Sequence, residues 1–264
     1  MSISTVSRRP RFVAALALLA CLTAPAVAAD LTVATSGGFA AASELLKPQY
    51  EKASGNMLAV AWGPSMGDTP NTIPNRLKRG ESIDVVVMVD SALDGLIKDG
   101  KVTASSKVVL ARSIVGMAVK AGAPRPDIST VDALKRTLLN AKSIAYSDNA
   151  SGLYLETNLF PRLGIWEQIK GKSHKIPAEP VAKVVARGEA EIGFQQLAEL
   201  MPESGVDVVG PLPTGAQQIT LYSAGVVTTS TQPEAAKALV EYLHSDAALA
   251  SINRTGLDPI SASK

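Results

Sequence analysis

Leu31-Thr32-Val33-Ala34-Thr35-Ser36-Gly37-Gly38-Phe39-Ala40-Ala41-Ala42-Ser43-Glu44-Leu45-Leu46 reads as a short β-strand, a hydroxyl-glycine turn and an amphipathic helix. At the turn, backbone N–H groups, the Ser36 hydroxyl and the positive end of a helix dipole converge, which suits an anion. The same alternation continues along the chain. Runs rich in Val, Ile and Ala predict strands at 31–35, 57–62, 84–89, 114–119, 143–147, 190–194 and 206–209. Helical patterns fall between them at 39–52, 72–79, 91–99, 130–140, 152–163 and 180–187. Strands alternating with helices imply an α/β fold of parallel sheets with helices on both faces. The unbroken apolar run Val85-Val86-Val87-Met88-Val89 fits a strand buried on both sides.

Turn-rich breaks at 121–126 and 210–215 divide the pattern, and an extended run at 219–227 and a helix at 233–244 follow the second break. These predict two lobes: residues 30–112 with 225–264, and residues 113–224. Residues 1–29 carry Arg8, Arg9 and Arg11, no acid, the apolar run 12–22 and a small-residue end, the pattern of a secretory signal peptide. Its removal takes the formal charge from +2 to −1, so nucleic acid is not an expected partner. Cys21 is the only cysteine, so the exported chain is expected to hold no disulfide. A lipid anchor at Cys21 is the less favoured alternative, because Leu19 is large for a lipoprotein box. Roughly 235 residues remain, enough for one or two cores.

Three strand ends are rich in small polar groups: Ser36-Gly37-Gly38, Gly63-Pro64-Ser65-Met66-Gly67, and Ser147-Asp148-Asn149-Ala150-Ser151-Gly152. Ligands of open α/β sheets sit at such ends. In order and spacing these turns resemble the periplasmic molybdate-binding protein family, together with 80–90, Leu163-Gly164-Ile165-Trp166 and 187–193. The resemblance implies a two-lobed, type II periplasmic-binding-protein-like fold with an oxyanion cleft between the lobes. It places hydroxyl ligands at Ser36 and Ser65, and further contacts at Gly37, at Met66, near Met88 and Val89, and near Ser151 and Gly152. It also implies a permease or sensor as partner.

The family's tyrosine position falls on Gln196, next to Gln195, and the second turn is lengthened by Asp68-Thr69-Pro70-Asn71. Arg112 falls where the chain is expected to cross into the second lobe, and its fork suits a carboxylate. Amides, a longer loop and an arginine favour a larger anion, such as a small di- or tricarboxylate, over molybdate. The expected role is therefore capture by a monomeric periplasmic receptor, without catalysis and without a cofactor. Arg76, Lys78 and Arg79 read as a solvated helix face, and Trp62 and Trp166 as core.

The enzyme alternative is a serine hydrolase, since Gly63-Pro64-Ser65-Met66-Gly67 matches Gly-x-Ser-x-Gly, with Asp90 as acid and His174 or His244 as base. Against it, Pro70 and Pro74 stand where an elbow must enter a helix. Metal catalysis is disfavoured, because two distant histidines and no spaced carboxylate cluster give zinc little to bind.

Overall fold

The computed structural model describes Met1, residues 28–177 and residues 179–261. Nearly all of the expected leader, with Cys21, lies outside the described residues.

The first part of the chain forms β1 (Asp30–Thr35), α1 (Gly37–Ser54), β2 (Met57–Trp62), α2 (Ile73–Lys78), β3 (Val85–Val89) and α3 (Asp90–Lys98). A long strand, β4 (Val108–Lys120), then leads to α4 (Val131–Asn140), β5 (Ile144–Ser147) and α5 (Ala150–Tyr154). The helix of α5 runs on through a π turn at Leu155–Leu159 into α6 (Phe160–Arg162). The wider turn fits Pro161, whose ring and missing N–H disturb an ordinary α-helical turn. Next come α7 (Trp166–Ile169), β6 (Ser173–Ile176), α8 (Val181–Ala186), β7 (Ile192–Gln196) and α9 (Leu197–Leu200). The chain closes with β8 (Val206–Pro211), β9 (Ile219–Val226), α10 (Pro233–Leu243), α11 (Asp246–Asn253) and β10 (Asp258–Pro259).

Strand order is β2-β1-β3-β9-β4-β7-β5-β6, and two sheets meet in β4. Residues 108–114 of β4 pair with β9 in the first sheet, and residues 115–120 pair with β7 and β8 in the second. Each sheet carries one lobe of a type II fold. Within the lobes β1, β2 and β3 are parallel, as are β5, β6 and β7. The expected parallel pairing holds within these two groups, whereas β4 runs antiparallel to β7 and β8, and both β3 and β4 run antiparallel to β9. This is the strand on which the chain returns to the first sheet.

Burial follows the pleat. Val85, Val87 and Val89 enter one core with Phe39, Leu46, Tyr222 and Leu239, whereas Val86 and Met88 enter another with Ile73, Leu77 and Leu93. Successive side chains of a strand point to opposite faces, so an all-apolar sequence is what a centrally placed β3 requires. In the second sheet Val115, Met117 and Val119 pack with Leu134, Ile144 and Phe160, and Ala145 packs on the other side with Val181 and Val185. Trp166 stacks on Phe160, with ring centroids 6.1 Å apart, as a core residue should. Trp62 instead remains 38% exposed at the end of β2, where its ring lies beside the Gly37 turn. β6 falls within a polar run that gave no strand signal; His174 is exposed there, and charged residues are common on sheet edges.

Candidate functional site

The site is organised by the C-terminal end of β3. The Ser36 N–H donates to the Val87 carbonyl at 2.8 Å, and the Val89 N–H donates to Ser65 Oγ at 2.9 Å. One buried strand thus fixes two donor-rich turns side by side. Ser36 is extended, with φ −78° and ψ 153°, and its side chain makes no capping bond to α1. Its buried Oγ has no well-aligned partner among the described residues, nor does the hydroxyl of Tyr222. The Ser36 hydroxyl is nevertheless near enough to favour ionisation of Tyr222, although burial and the Glu199 charge push that phenol well above its ordinary range. Both hydroxyls therefore retain bonding capacity beside the first turn of α1, where the Phe39 N–H turns back to the Ser36 carbonyl at 2.9 Å and the N–H groups of Gly37 and Gly38 precede it.

Two glycines make this convergence possible. An ideal Cβ on Gly38 would lie 2.0 Å from the Tyr222 hydroxyl oxygen. One on Gly37 would lie 2.3 Å from Glu199 Oε2 and 3.0 Å from Trp62 Nε1. Glu199 belongs to α9, which follows the second sheet's β7, yet its carboxyl rests on a first-lobe turn. Gln195 Nε2 donates to Glu199 Oε2 at 2.7 Å, while Gln195 Oε1 accepts from the Val181 N–H at 3.0 Å. Burial raises the Glu199 carboxyl to about 7, opposed only in part by the Gln195 amide. A cavity of about 480 Å³ opens outward from this point between Gly37, Trp62, Lys183 and Glu199.

Around the rest of the cleft, Gln196 Nε2 donates to Thr220 Oγ1 at 3.0 Å, and its buried Oε1 has no partner among the described residues. Ser147 Oγ and Ser151 Oγ are 3.1 Å apart. Gly152 follows in the first turn of α5, where an ideal Cβ would meet the Ser147 carbonyl oxygen at 1.6 Å. In a separate groove with Lys175, Gly67 approaches Asp148, whose carboxyl is raised chiefly by burial.

The structure therefore brings Ser36, Gly37 and Gln195 together through Glu199, and joins Ser36 to Ser65 through β3. Gln195 and Gln196 end β7, and both are buried. Met88 offers only its backbone, since its side chain fills the Ile73 and Leu93 core. Met66 is half-buried and packs against the first core.

Arg112 is corrected. Strand alternation turns Ser113 inward and Arg112 outward, where it pairs with Asp258 at 3.1 Å with its side chain 49% exposed. Exposed pairs contribute about 0–1 kcal/mol. Arg112→Ala should therefore leave ligand affinity unchanged and lower stability by no more than about 1 kcal/mol, checked by calorimetry and thermal unfolding. Arg76 is also corrected: it is buried and forked onto Glu81 rather than solvated. Sequence reasoning passed over Glu199 and Tyr222, although Tyr222 alternates inward within the apolar run of β9.

The hydrolase arrangement does not form. Ser65 is fully buried with its hydroxyl on the Val89 amide, and the chain beyond it enters α2 only at Ile73, where the Thr72 side chain caps the helix. Asp90 binds Lys107 at 2.7 Å and accepts from Ser223, while His174 is exposed on β6 and His244 terminates α10. Among the described residues, no three His, Cys, Asp or Glu side chains converge as a metal site.

A family model described as "bacterial extracellular solute-binding protein" matches residues 31–258. The chain belongs to this family. The molybdate-binding protein ModA of Azotobacter vinelandii is 29% identical over 237 residues, covering 86% of this chain and 87% of that protein. The solved periplasmic molybdate-binding protein of Azotobacter vinelandii has a TM-score of 0.69 at 19% identity, covering 86% of this chain and 98% of that one. The likeness establishes a molybdate-binding-protein-like solute-binding fold of type II. A second relative overturns the expectation of a purely non-catalytic protein. It is named aconitate isomerase, from Pseudomonas sp, and is 53% identical over 232 residues, 88% of each chain. A solute-binding fold thus carries an enzyme name at high identity, and no finding favours a serine hydrolase.

Proposed function

We propose that this solute-binding protein interconverts the cis and trans isomers of aconitate in its cleft. The observation that carries the proposal is the 53% identity, over 88% of both chains, to a protein named for that activity. The site's chemistry supports it. Aconitate has three carboxylates on a propene skeleton, and the cleft offers hydroxyls, amides and a helix start in place of one strong cation. Gln195 and Gln196 also fit a planar organic acid better than a compact metal oxyanion.

Isomerisation requires transient loss of the double bond. The methylene of aconitate lies between an alkene and a carboxylate, so loss of one proton spreads charge across the allyl unit and its carboxylates. Return of a proton at the other end shifts the double bond, and the conformer held by the cleft sets the geometry of the product. Donors at Ser36, Tyr222 and the first turn of α1 would hold the carboxylate on which negative charge grows.

The test is proton NMR of purified protein with each isomer separately. The same cis/trans ratio should be reached from both sides, and molybdate should not inhibit. Absence of interconversion, combined with tight and selective molybdate binding, would overturn the reading. A second reading, capture of a small carboxylate for a permease or sensor after export, is favoured by the family itself. It predicts tight binding without turnover.

A further inference from the structure

We infer that Glu199 is the base that carries the proton in this isomerisation, brought to the substrate when the second lobe closes on the Ser36-Gly37-Gly38 turn. The inference rests on the isomerase reading and names the residue that acts within it. Glu199 is attached to one lobe and touches the other: α9 extends from β7, while the carboxyl lies against Gly37. Closure therefore assembles base and carboxylate-binding turn together, whereas opening separates them. Gln195 fixes the carboxyl by donating to Oε2 and is itself fixed by the Val181 N–H. Such a chain restrains the carboxyl in the manner expected of a preorganised group.

Neighbouring groups are less suited to the task. Tyr222 stays protonated, because burial and the Glu199 charge both oppose its ionisation. Glu179 and Glu203 line the groove outside with Lys183, and Glu179 is held by Arg187 at 3.0 Å. Asp148 lines a separate groove beside Gly67, with Lys175 and Asp68 as its charged neighbours. Glu199 is the carboxyl placed on the turn itself, and its value of about 7 leaves it able both to take and to return a proton near neutrality.

The step balances. The Glu199 carboxylate takes a methylene proton: one C–H bond breaks, one O–H bond forms, and the electron pair enters the allyl system. The carboxylic acid then protonates the other terminal carbon, regenerating Glu199. Nothing is oxidised or reduced.

The experiment compares wild type, Glu199→Gln and Glu199→Asp for turnover of trans-aconitate, calorimetric binding of trans-aconitate and deuterium uptake from D₂O. Glu199→Gln should lose about 10²- to 10⁴-fold in kcat and lose deuterium uptake, yet bind within a few-fold of wild type, while Glu199→Asp recovers part of the rate. Wild-type kcat/KM should rise as pH increases through about 7, where the carboxyl becomes a base. Its folded value lies above the ordinary 4.5, so the native state holds the extra proton, and wild type loses stability as pH climbs from 4.5 to 7. Glu199→Gln should remove that loss. An active wild type whose Glu199→Gln form keeps more than a tenth of kcat overturns the assignment alone. An inactive wild type overturns the isomerase reading and the assignment with it. Should Glu199→Gln fail to fold, the wild-type profile decides, and a flat kcat/KM between pH 6 and 8 overturns the assignment.

Discussion

Gly152→Ala should unfold the protein at markedly lower temperature and abolish ligand binding. Its new Cβ would stand 1.6 Å from the Ser147 carbonyl oxygen and 2.7 Å from the carbonyl carbon. Both are backbone atoms at the end of β5, so no rotamer change relieves the overlap. Overpacking with side-chain relaxation costs typically about 1–3 kcal/mol, and a backbone collision belongs at or above the top of that range. In a chain of this size about 3 kcal/mol corresponds to a drop of about 6–12 °C in Tm. Relief by moving α5 would pull Ser151 from Ser147 and dismantle that wall of the cleft. Gly95→Ala is the control, since nothing lies within 4 Å of its Cβ and it sits inside α3. It should stabilise by about 0.5–1 kcal/mol through helix propensity. Circular dichroism melts of the two variants check the contrast.

Gly38→Ala should remove activity with a smaller effect on folding. The added Cβ meets the Tyr222 hydroxyl oxygen at 2.0 Å and ring carbon Cζ at 2.4 Å. Tyr222 is fully buried among Phe39, Val87 and Ala224, so its ring has no free volume into which to swing. The turn must shift instead, carrying Ser36 and the first N–H groups of α1 away from the ligand. Affinity for trans-aconitate should fall by at least about 100-fold, equivalent to about 2.7 kcal/mol. Tyr222→Phe, which removes only the hydroxyl, should lose less. Combining the two changes should give an effect smaller than their sum, because each disturbs the same contact. Calorimetric titration of the three variants measures this coupling, and strict additivity would disprove the shared contact.

The elements legible in the sequence were those whose signals are local. The Thr35-Ser36-Gly37 junction combines strand alternation, a turn and a helical period within a few residues, and Val85 to Val89 carry their double burial in composition alone. Side-chain direction near β4 was not legible, because it depends on a register set by β9; Arg112 and Ser113 exchange faces with a shift of one residue. The surroundings of the β7 end were not legible for a related reason. Gln195 and Gln196 look like surface amides until Val181, Glu199 and Thr220 are folded around them. Glu199 gave no signal of its own. It lies on a four-residue helix, and its environment comes from Gly37 and Trp62, far away in sequence. The receptor fold was thus readable from repeated local patterns, whereas the carboxyl proposed to do chemistry is defined by long-range contacts.

The bond from the Val89 N–H to Ser65 Oγ sets a position. With one lone pair engaged by that amide, the Ser65 hydroxyl keeps its proton and a second lone pair for other partners. β3 thereby ties the turn at 63–67 to the same strand end that holds Ser36, so the two turns cannot shift independently while both bonds are kept.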